Sequence, residues 1–288
     1  MAVSFSNKNI HTRSASFPPK SNPMVQKIED ELKKLAKSEE LCTSELETIS
    51  IGLSGLARMY KYVDQALKLR HTQQNLIPKY VNPLVEAISK LLDICSASKQ
   101  ILETLRKAVT DVQSTLQTDC SSTDIDSMSD YLRARKETIR GAKGMAVSLR
   151  QLEIEAARDL EGYELSEVSR VLTCVTIINV SVLESLIRVL MTKPAKRGLF
   201  CKLGLTKKTS GKAATLPAKY GNRLSDVDVA LLAVFPFSKH VDADTLAVAL
   251  KRLESMEMSL LELEDGLGLI ISVLSKSCRT RPYISCLS

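Results

Sequence analysis

Apolar residues recur every three or four positions along most of the chain, which is the spacing of one face of an α-helix. The longest stripe predicts a helix on the order of 50 Å long, and it runs through Val81, Leu84, Ile88, Leu91, Cys95, Ser98, Leu102, Leu105, Val109, Val112 and Leu116. Val25 to Ile49 carries a similar stripe and predicts a first helix. Leu53 to Leu67 predicts a second, shorter helix.

The second half of the chain continues this helical pattern with more interruptions. A fourth helix is predicted over roughly Ser127 to Leu160; glycine weakens helices, so Gly141 and Gly144 predict a kink or break in it. Leu165 to Val189 predicts a fifth helix. A short helix from Ser225 to Phe235 is expected to end at Pro236, and the last helix is expected to start near Asp244 and to carry a stripe to Leu274.

The fifth helix is the most apolar segment and could be mistaken for a membrane span. A span needs about 20 apolar residues, and the charged side chains of Arg170, Glu184 and Arg188 restrict the apolar run. We therefore predict a core helix.

Apolar stripes on separate helices joined by links must bury against one another. The predicted fold is all-α, an antiparallel bundle of about five to six long helices in a single domain over residues 23–288. Residues 1–22 are predicted to be a disordered basic tail, and residues 192–224 a flexible basic insertion. A dimeric coiled coil would use the same stripes, although the interrupting loops favour the bundle. The oligomeric state is left open.

Positive charge is concentrated in the two segments predicted to be irregular. No acid occurs between Glu184 and Asp226, where ten Lys and Arg lie, and no acid precedes Glu29, where four lie. Removing these fourteen charges from the formal +7 leaves −7 for the remainder. The predicted bundle is therefore mildly acidic, and both irregular segments are suited to anionic partners.

The amino-terminal tail contains the most specific short motif, Arg13-Ser14-Ala15-Ser16-Phe17-Pro18. It reads R-S-x-S-x-P, which resembles the phosphoserine motif bound by 14-3-3 proteins. Phosphorylated Ser16 would carry nearly two negative charges for an Arg cluster to pair, and Pro18 would turn the chain out of the binding groove. We predict a phospho-recognition site at Arg13, Ser14, Ser16 and Pro18. An inert tail and a plastid transit peptide are the alternatives.

The basic insertion is a second candidate site. Its predicted residues are Lys193, Lys196, Arg197, Lys202, Lys207, Lys208 and Lys212. Leu199, Phe200, Leu203 and Leu205 lie among the cations and favour contact with an anionic membrane surface. Nucleic acid is disfavoured because few aromatic residues are available for stacking. A solvated loop without a partner is the remaining alternative.

The sequence contains no pattern that predicts catalysis, a metal site or a cofactor. The seven Cys are scattered, and only three His accompany them; zinc sites need clustered thiolates or imidazoles. The acidic pair Glu264-Asp265 has no such company and is predicted to lie on a solvated face. Asn179 lies on the stripe of the fifth helix and is predicted to be a buried polar residue that fixes helix register.

Several short segments follow one another in a specific order: the R-S-x-S-x-P motif with Asn22-Pro23-Met24-Val25, then Leu53-Ser54-Gly55-Leu56 leading to Tyr60-Lys61-Tyr62-Val63-Asp64, Thr72-Gln73-Gln74, Leu92-Asp93-Ile94-Cys95, Val112-Gln113-Ser114-Thr115-Leu116 and Leu263-Glu264-Asp265-Gly266-Leu267. Together these segments resemble the plant-specific BYPASS-like family. The resemblance implies a helical, non-enzymatic protein tied to plant development and signalling. We expect a cytoplasmic regulator that recruits protein partners through the phosphorylated tail, with the bundle as scaffold. An adaptor at membrane surfaces, a plastid protein and a nucleic-acid binder are the alternatives.

Overall fold

Seven α-helices make up nearly all of the part of the chain that the computed structural model describes, namely residues 23–38, 45–69, 78–118, 125–160, 167–194, 223–235 and 242–279. The helices are α1 (Pro23–Ser38), α2 (Glu45–Leu67), α3 (Pro78–Thr118), α4 (Ile125–Leu160), α5 (Glu167–Leu190), α6 (Arg223–Val234) and α7 (Ala243–Arg279). These ranges contain no strand, so the predicted all-α class is confirmed. Five helices have 23 residues or more, and α1 and α6 are shorter.

The long helix α3 packs between α4 and α7. Lys90 near its start pairs with Glu155 near the end of α4, while a Cβ atom added to Gly141 of α4 would meet Ile101 further along α3. This order makes α3 and α4 antiparallel. Helix α2 packs on α7, α1 and α5, and α5 also packs on α4. The apolar stripes meet in one continuous cluster of buried side chains drawn from all seven helices.

The amino-terminal helices differ from the prediction. The stripe from Val25 to Ile49 was expected to form one helix, but α1 ends at Ser38, and the later part of that stripe belongs to α2, which starts at Glu45. Leu35 of α1 lies against Gly55 of α2. The prediction failed because the three-four spacing stays in phase across the break, and no glycine or proline marks it.

Helix α4 runs without a break from Ile125 to Leu160, so the expected break at its glycines is wrong. Gly141 faces α3, where an added Cβ atom would lie 2.6 Å from Cδ1 of Ile101. Glycine at this position lets two helices approach closely. Gly144 has no neighbouring atom within 4 Å of such a Cβ, and the surrounding helix simply accommodates it.

Helix α5 occupies the core position predicted for it. The prediction also held that the apolar run of this helix is too short to span a membrane, and this part is wrong. Ser169–Leu190 spans 22 residues with a mean hydropathy of 1.6, and by length and composition alone it could cross a membrane. Half of that apolar window is buried in the fold, where α5 packs against α1, α2, α3 and α4. A core helix meets the same length and composition test as a membrane span.

The acidic pair on α7 is only half solvated. Asp265 is exposed, but Glu264 is 4% exposed, and its Oε1 accepts a hydrogen bond from Nε of Arg106 at 2.7 Å. The prediction of a solvated face is therefore wrong for Glu264. One turn further along α3, Thr110 donates to Glu257, which lies two turns before Glu264 on α7. These polar contacts fix α3 and α7 in antiparallel register.

Candidate functional site

A buried polar cluster joins α4 to α6. Arg135 of α4 is 0% exposed and Asp228 of α6 is 2% exposed. Nη2 of Arg135 donates to Oδ2 of Asp228 at 3.1 Å, and Nε donates to Oδ1 at 3.3 Å. The hydroxyl of Tyr131, one turn earlier on α4, donates to the same Oδ1 at 2.8 Å. The carboxylate thus accepts three hydrogen bonds from one helix, and burial raises the pKa of the Tyr131 phenol well above its usual range.

The cluster lies where the basic insertion joins the bundle. Nη2 of Arg135 also donates to the backbone carbonyl of Thr192 at 2.8 Å, two residues after the end of α5. Asp228 lies five residues after the start of α6 at Arg223. One guanidinium therefore binds a residue just after α5 and a residue within α6, on either side of the segment that connects them. We call residues 195–222 the basic segment.

The cluster costs desolvation energy that is not fully compensated. Nη1 of Arg135 is buried without a hydrogen-bond partner. A buried ion pair is weak evidence for stability, since replacing it with apolar residues of similar volume often leaves the free energy of unfolding unchanged or higher. The best-attested role of such a pair is to specify one packing arrangement of the helices over others. The role of this cluster is positional: it fixes α6 and the residue Thr192, which follows α5, against α4.

A second buried polar pair fixes α2 against α5. Asn179 is 0% exposed, as predicted, and its Nδ2 donates to the hydroxyl of Tyr60, while its Oδ1 has no partner. Burial raises the pKa of Tyr60 above its usual range, and burial also raises the pKa of the neighbouring Cys95 thiol to about 12. Both groups are therefore neutral at physiological pH. The pair specifies the register between the two helices.

The helix that carries the amino-terminal tail is fixed by apolar and ionic contacts. Val25 and Ile28 of α1 are each 1% exposed. Glu31 is 5% exposed; its Oε1 accepts from Nζ of Lys34 at 2.7 Å and its Oε2 from Nε of Arg58 on α2 at 3.3 Å. The hydrogen bond from Lys34 has the largest effect on the pKa of Glu31, and the bond from Arg58 adds to it. Together they lower this pKa, because they outweigh the burial that would raise it.

Most of the predicted site residues lie outside the described ranges. This holds for Arg13, Ser14, Ser16 and Pro18 of the tail and for Lys196, Arg197, Lys202, Lys207, Lys208 and Lys212 of the basic segment. Lys193 is described: it is exposed and follows α5 by three residues, next to the carbonyl that Arg135 binds. The described residues nearest to the two candidate segments are Pro23 of α1, which follows the tail, and Pro194 and Arg223, which flank the basic segment.

Sequence reasoning missed the Arg135 cluster. Tyr131, Arg135 and Thr138 continue the buried stripe of α4, so an arginine stands at a core position. Asp228 likewise follows a buried valine on α6. A charged residue on a buried stripe of each of two helices, with opposite signs, was the signal that could have revealed the pair.

Comparison with known proteins identifies the family. Within the described ranges, no group of three or more His, Cys, Asp or Glu is placed to hold a metal ion. No curated protein and no solved structure gave a significant match. The family model described as Protein BPS1 matches residues 52–279. Because this match covers α3 to α7 and most of α2, the chain belongs to the BPS1 family, and the BYPASS-like resemblance is confirmed.

Proposed function

We propose that this chain is a non-enzymatic regulator of plant development that acts in the cytoplasm by recruiting other proteins. Membership of the BPS1 family suggests a plant developmental regulator. Recruitment is supported by the R-S-x-S-x-P motif around Ser16, since phosphoserine beside arginine is a recognition element for domains with Arg clusters. A 14-3-3 protein is the partner class that this motif fits.

The anchoring of α1 is the observation that carries this proposal. Ser16 precedes Pro23, the first residue of α1, by seven residues, a reach of at most roughly 25 Å. Val25 and Ile28 bury α1 in the bundle, and Glu31 ties it to α2 through Arg58. A partner bound to phosphorylated Ser16 would consequently be held next to the bundle surface.

Affinity purification from plant tissue tests partner recruitment. The intact chain is compared with Ser16→Ala, and Ser6→Ala serves as the control because it removes a hydroxyl from the same tail outside the motif. Loss of co-purifying proteins only in Ser16→Ala is expected. Tail peptides with and without phosphate on Ser16 are then titrated with a purified 14-3-3 protein. Equal, weak binding of the two peptides would refute the phospho-switch.

A second function, that of an adaptor at anionic membrane surfaces, is favoured by the Arg135 cluster. The basic segment carries seven cations and no acid. Arg135 holds Thr192 before the segment and Asp228 after it, so described residues on both sides of the segment are fixed at one place in the bundle. Co-sedimentation with phosphatidylserine vesicles tests this function by comparing the intact chain with one lacking residues 196–221. Undiminished binding after the deletion would exclude the segment as the contact.

The two proposed functions can be tested separately because α1, which follows the amino-terminal tail in the sequence, and the end of α5, which precedes the basic segment, lie apart. Glu29 of α1 lies close enough to Cys174 to affect its pKa, whereas the basic segment follows the opposite end of α5. Cys174 and Leu190 are roughly 24 Å apart along the helix axis. Changing Ser16 should therefore leave vesicle binding by the basic segment intact.

A further inference from the structure

The outward face of α4 carries a continuous stripe of cationic and apolar residues. The residues of α4 that face the core recur at Met128, Tyr131, Arg135, Thr138, Ala142, Met145, Leu149, Leu152 and Ala156. On the opposite side of the helix, exposed positions recur with the same three-four spacing. We call this set the α4 stripe; it consists of Leu132, Lys136, Arg140, Lys143, Val147, Arg150, Ile154 and Arg158.

The α4 stripe contains five cations, three apolar residues and no acid. Its ends are 26 residues apart in one unbroken helix, which corresponds to roughly 39 Å. Leu132, Val147 and Ile154 are 41%, 71% and 46% exposed, respectively. Large apolar side chains that recur on a polar outer face indicate a contact surface more often than isolated ones do.

The cations of the stripe are available for an external partner. Within the described part of the chain, none of the five forms a salt bridge. Asp130 pairs with Arg133 on the flank of the stripe, and Glu155 pairs with Lys90 of α3, although the charge of Arg158 also helps to lower the pKa of Glu155. Two further acids, Glu137 and Glu153, are exposed on α4 beside the stripe. The five cations of the stripe outnumber these two acids, so the stripe keeps a net positive charge.

We propose that the α4 stripe is a docking surface for an anionic lipid bilayer. This inference rests on the proposed function at anionic membrane surfaces and assigns it a rigid site within the bundle. Helices that lie in a membrane interface combine Lys and Arg, which attract acidic headgroups, with apolar side chains that enter the acyl boundary. The α4 stripe has both components on the exposed side of one helix.

Other occupants fit the stripe less well. A nucleic acid would use aromatic side chains for stacking, and the stripe contains none. The same stripe of a second copy would bring like charges together. A bilayer, by contrast, is an extended anionic surface that matches the length of the stripe. Lys193, which is exposed, follows Thr192, the residue whose carbonyl accepts a hydrogen bond from Arg135 of α4, and it adds one described cation near α4.

Vesicle flotation of the full chain tests the proposal. Vesicles of phosphatidylcholine with phosphatidylserine are compared with phosphatidylcholine alone, using the parent chain and a Lys143→Gln, Arg150→Gln double variant. Glutamine preserves helix propensity. The control is Lys61→Gln, Lys107→Gln, which removes the same charge from exposed positions of α2 and α3. The stripe variant should lose at least about tenfold in partition to anionic vesicles, while the control and the parent agree.

A third variant separates apolar insertion from charge. Val147→Ser with Ile154→Ser should also weaken binding, and this loss should persist in high salt, where headgroup attraction is screened. Equal flotation of the parent and the Lys143→Gln, Arg150→Gln variant would overturn the proposal, as would binding that is lost only when residues 196–221 are deleted.

Self-association is the remaining alternative for the α4 stripe. If the chain pellets without vesicles, and this pelleting depends on the stripe and on salt, the stripe serves self-association and the lipid proposal is overturned. None of these outcomes depends on Ser16, so the phospho-switch stands or falls separately.

Discussion

Arg135 and Asp228 are 93 residues apart in the sequence, and they meet in the core with their charged groups 3.1 Å apart. The pair links α4 to α6, while Arg135 also binds the carbonyl that follows α5. Three helices are therefore positioned by one side chain. The basic segment connects α5 to α6 in the sequence, so the same side chain holds described residues on both sides of it.

Replacing one partner of this pair should be strongly destabilising. Asp228→Leu leaves the guanidinium of Arg135 buried without its counter-charge, and we expect the free energy of unfolding to fall by about 3–5 kcal/mol. Urea unfolding followed by circular dichroism measures this loss. Limited proteolysis should also show faster cleavage on both sides of the basic segment, since its two ends are no longer held together.

The matched control removes the whole polar cluster. Tyr131→Phe, Arg135→Met and Asp228→Leu together leave no buried charge, so the triple variant should recover most of the stability lost by Asp228→Leu alone. A triple variant as unstable as the single one would mean that the loss comes from packing. In that case the ion pair would not be the element that positions α6.

The Tyr60 and Asn179 pair gives a second prediction. Tyr60→Phe leaves the Asn179 amide buried without any partner, and we expect a loss of about 1–3 kcal/mol in the free energy of unfolding. Tyr60→Phe combined with Asn179→Leu should be less destabilised than the single variant, because no buried polar group remains unpaired. The denaturant midpoints of unfolding measure both effects, provided that the dependence of the free energy of unfolding on denaturant concentration is the same for all variants. A double variant at least as unstable as Tyr60→Phe would argue against a role for the hydrogen bond.

Two helical glycines should respond oppositely to alanine. At Gly55 an added Cβ atom would lie 2.2 Å from Cδ2 of Leu35, so Gly55→Ala should displace α1 and cost about 1–3 kcal/mol. Gly144→Ala meets nothing within 4 Å and should stabilise by about 0.5–1 kcal/mol, since alanine favours the helix. Thermal unfolding of both variants checks the signs. Equal shifts in the same direction would contradict the close approach of α1 to α2.

Local periodicity explains why the helices could be predicted and their pairing could not. The stripe of α3 predicted a helix from Val81 to Leu116, and α3 extends over Pro78–Thr118. Periodicity carries no information on direction, so the reversal between α1 and α2 was missed. The apolar spacing is the same whether a helix continues or folds back.

The candidate sites show the same division between local and long-range information. The motif at Ser16 is local and readable, because its meaning depends on neighbouring residues. The Arg135 cluster depends on which core position of α6 meets which position of α4, and this follows only from the packing of the whole bundle. Glu264 was misjudged for the same reason, since its partner Arg106 is 158 residues away.

The carboxylate of Glu31 predicts how the anchoring of α1 depends on pH. Hydrogen bonds from Lys34 and Arg58 lower its pKa in the folded chain below the ordinary value of 4.5. The folded state thus favours the charged form of Glu31. The stabilisation that this carboxylate gives to the fold is complete above pH 4.5 and is lost as the pH falls through the lowered folded pKa.

Glu31→Gln should reduce the free energy of unfolding by about 1 kcal/mol at neutral pH, allowing for screening of the exposed lysine and arginine. The difference between parent and variant should shrink in urea titrations below pH 4.5. Glu137→Gln, which removes an exposed carboxylate from α4, is the control for the change in net charge. A gap that stays constant with pH would mean that Glu31 contributes through packing rather than through its charge.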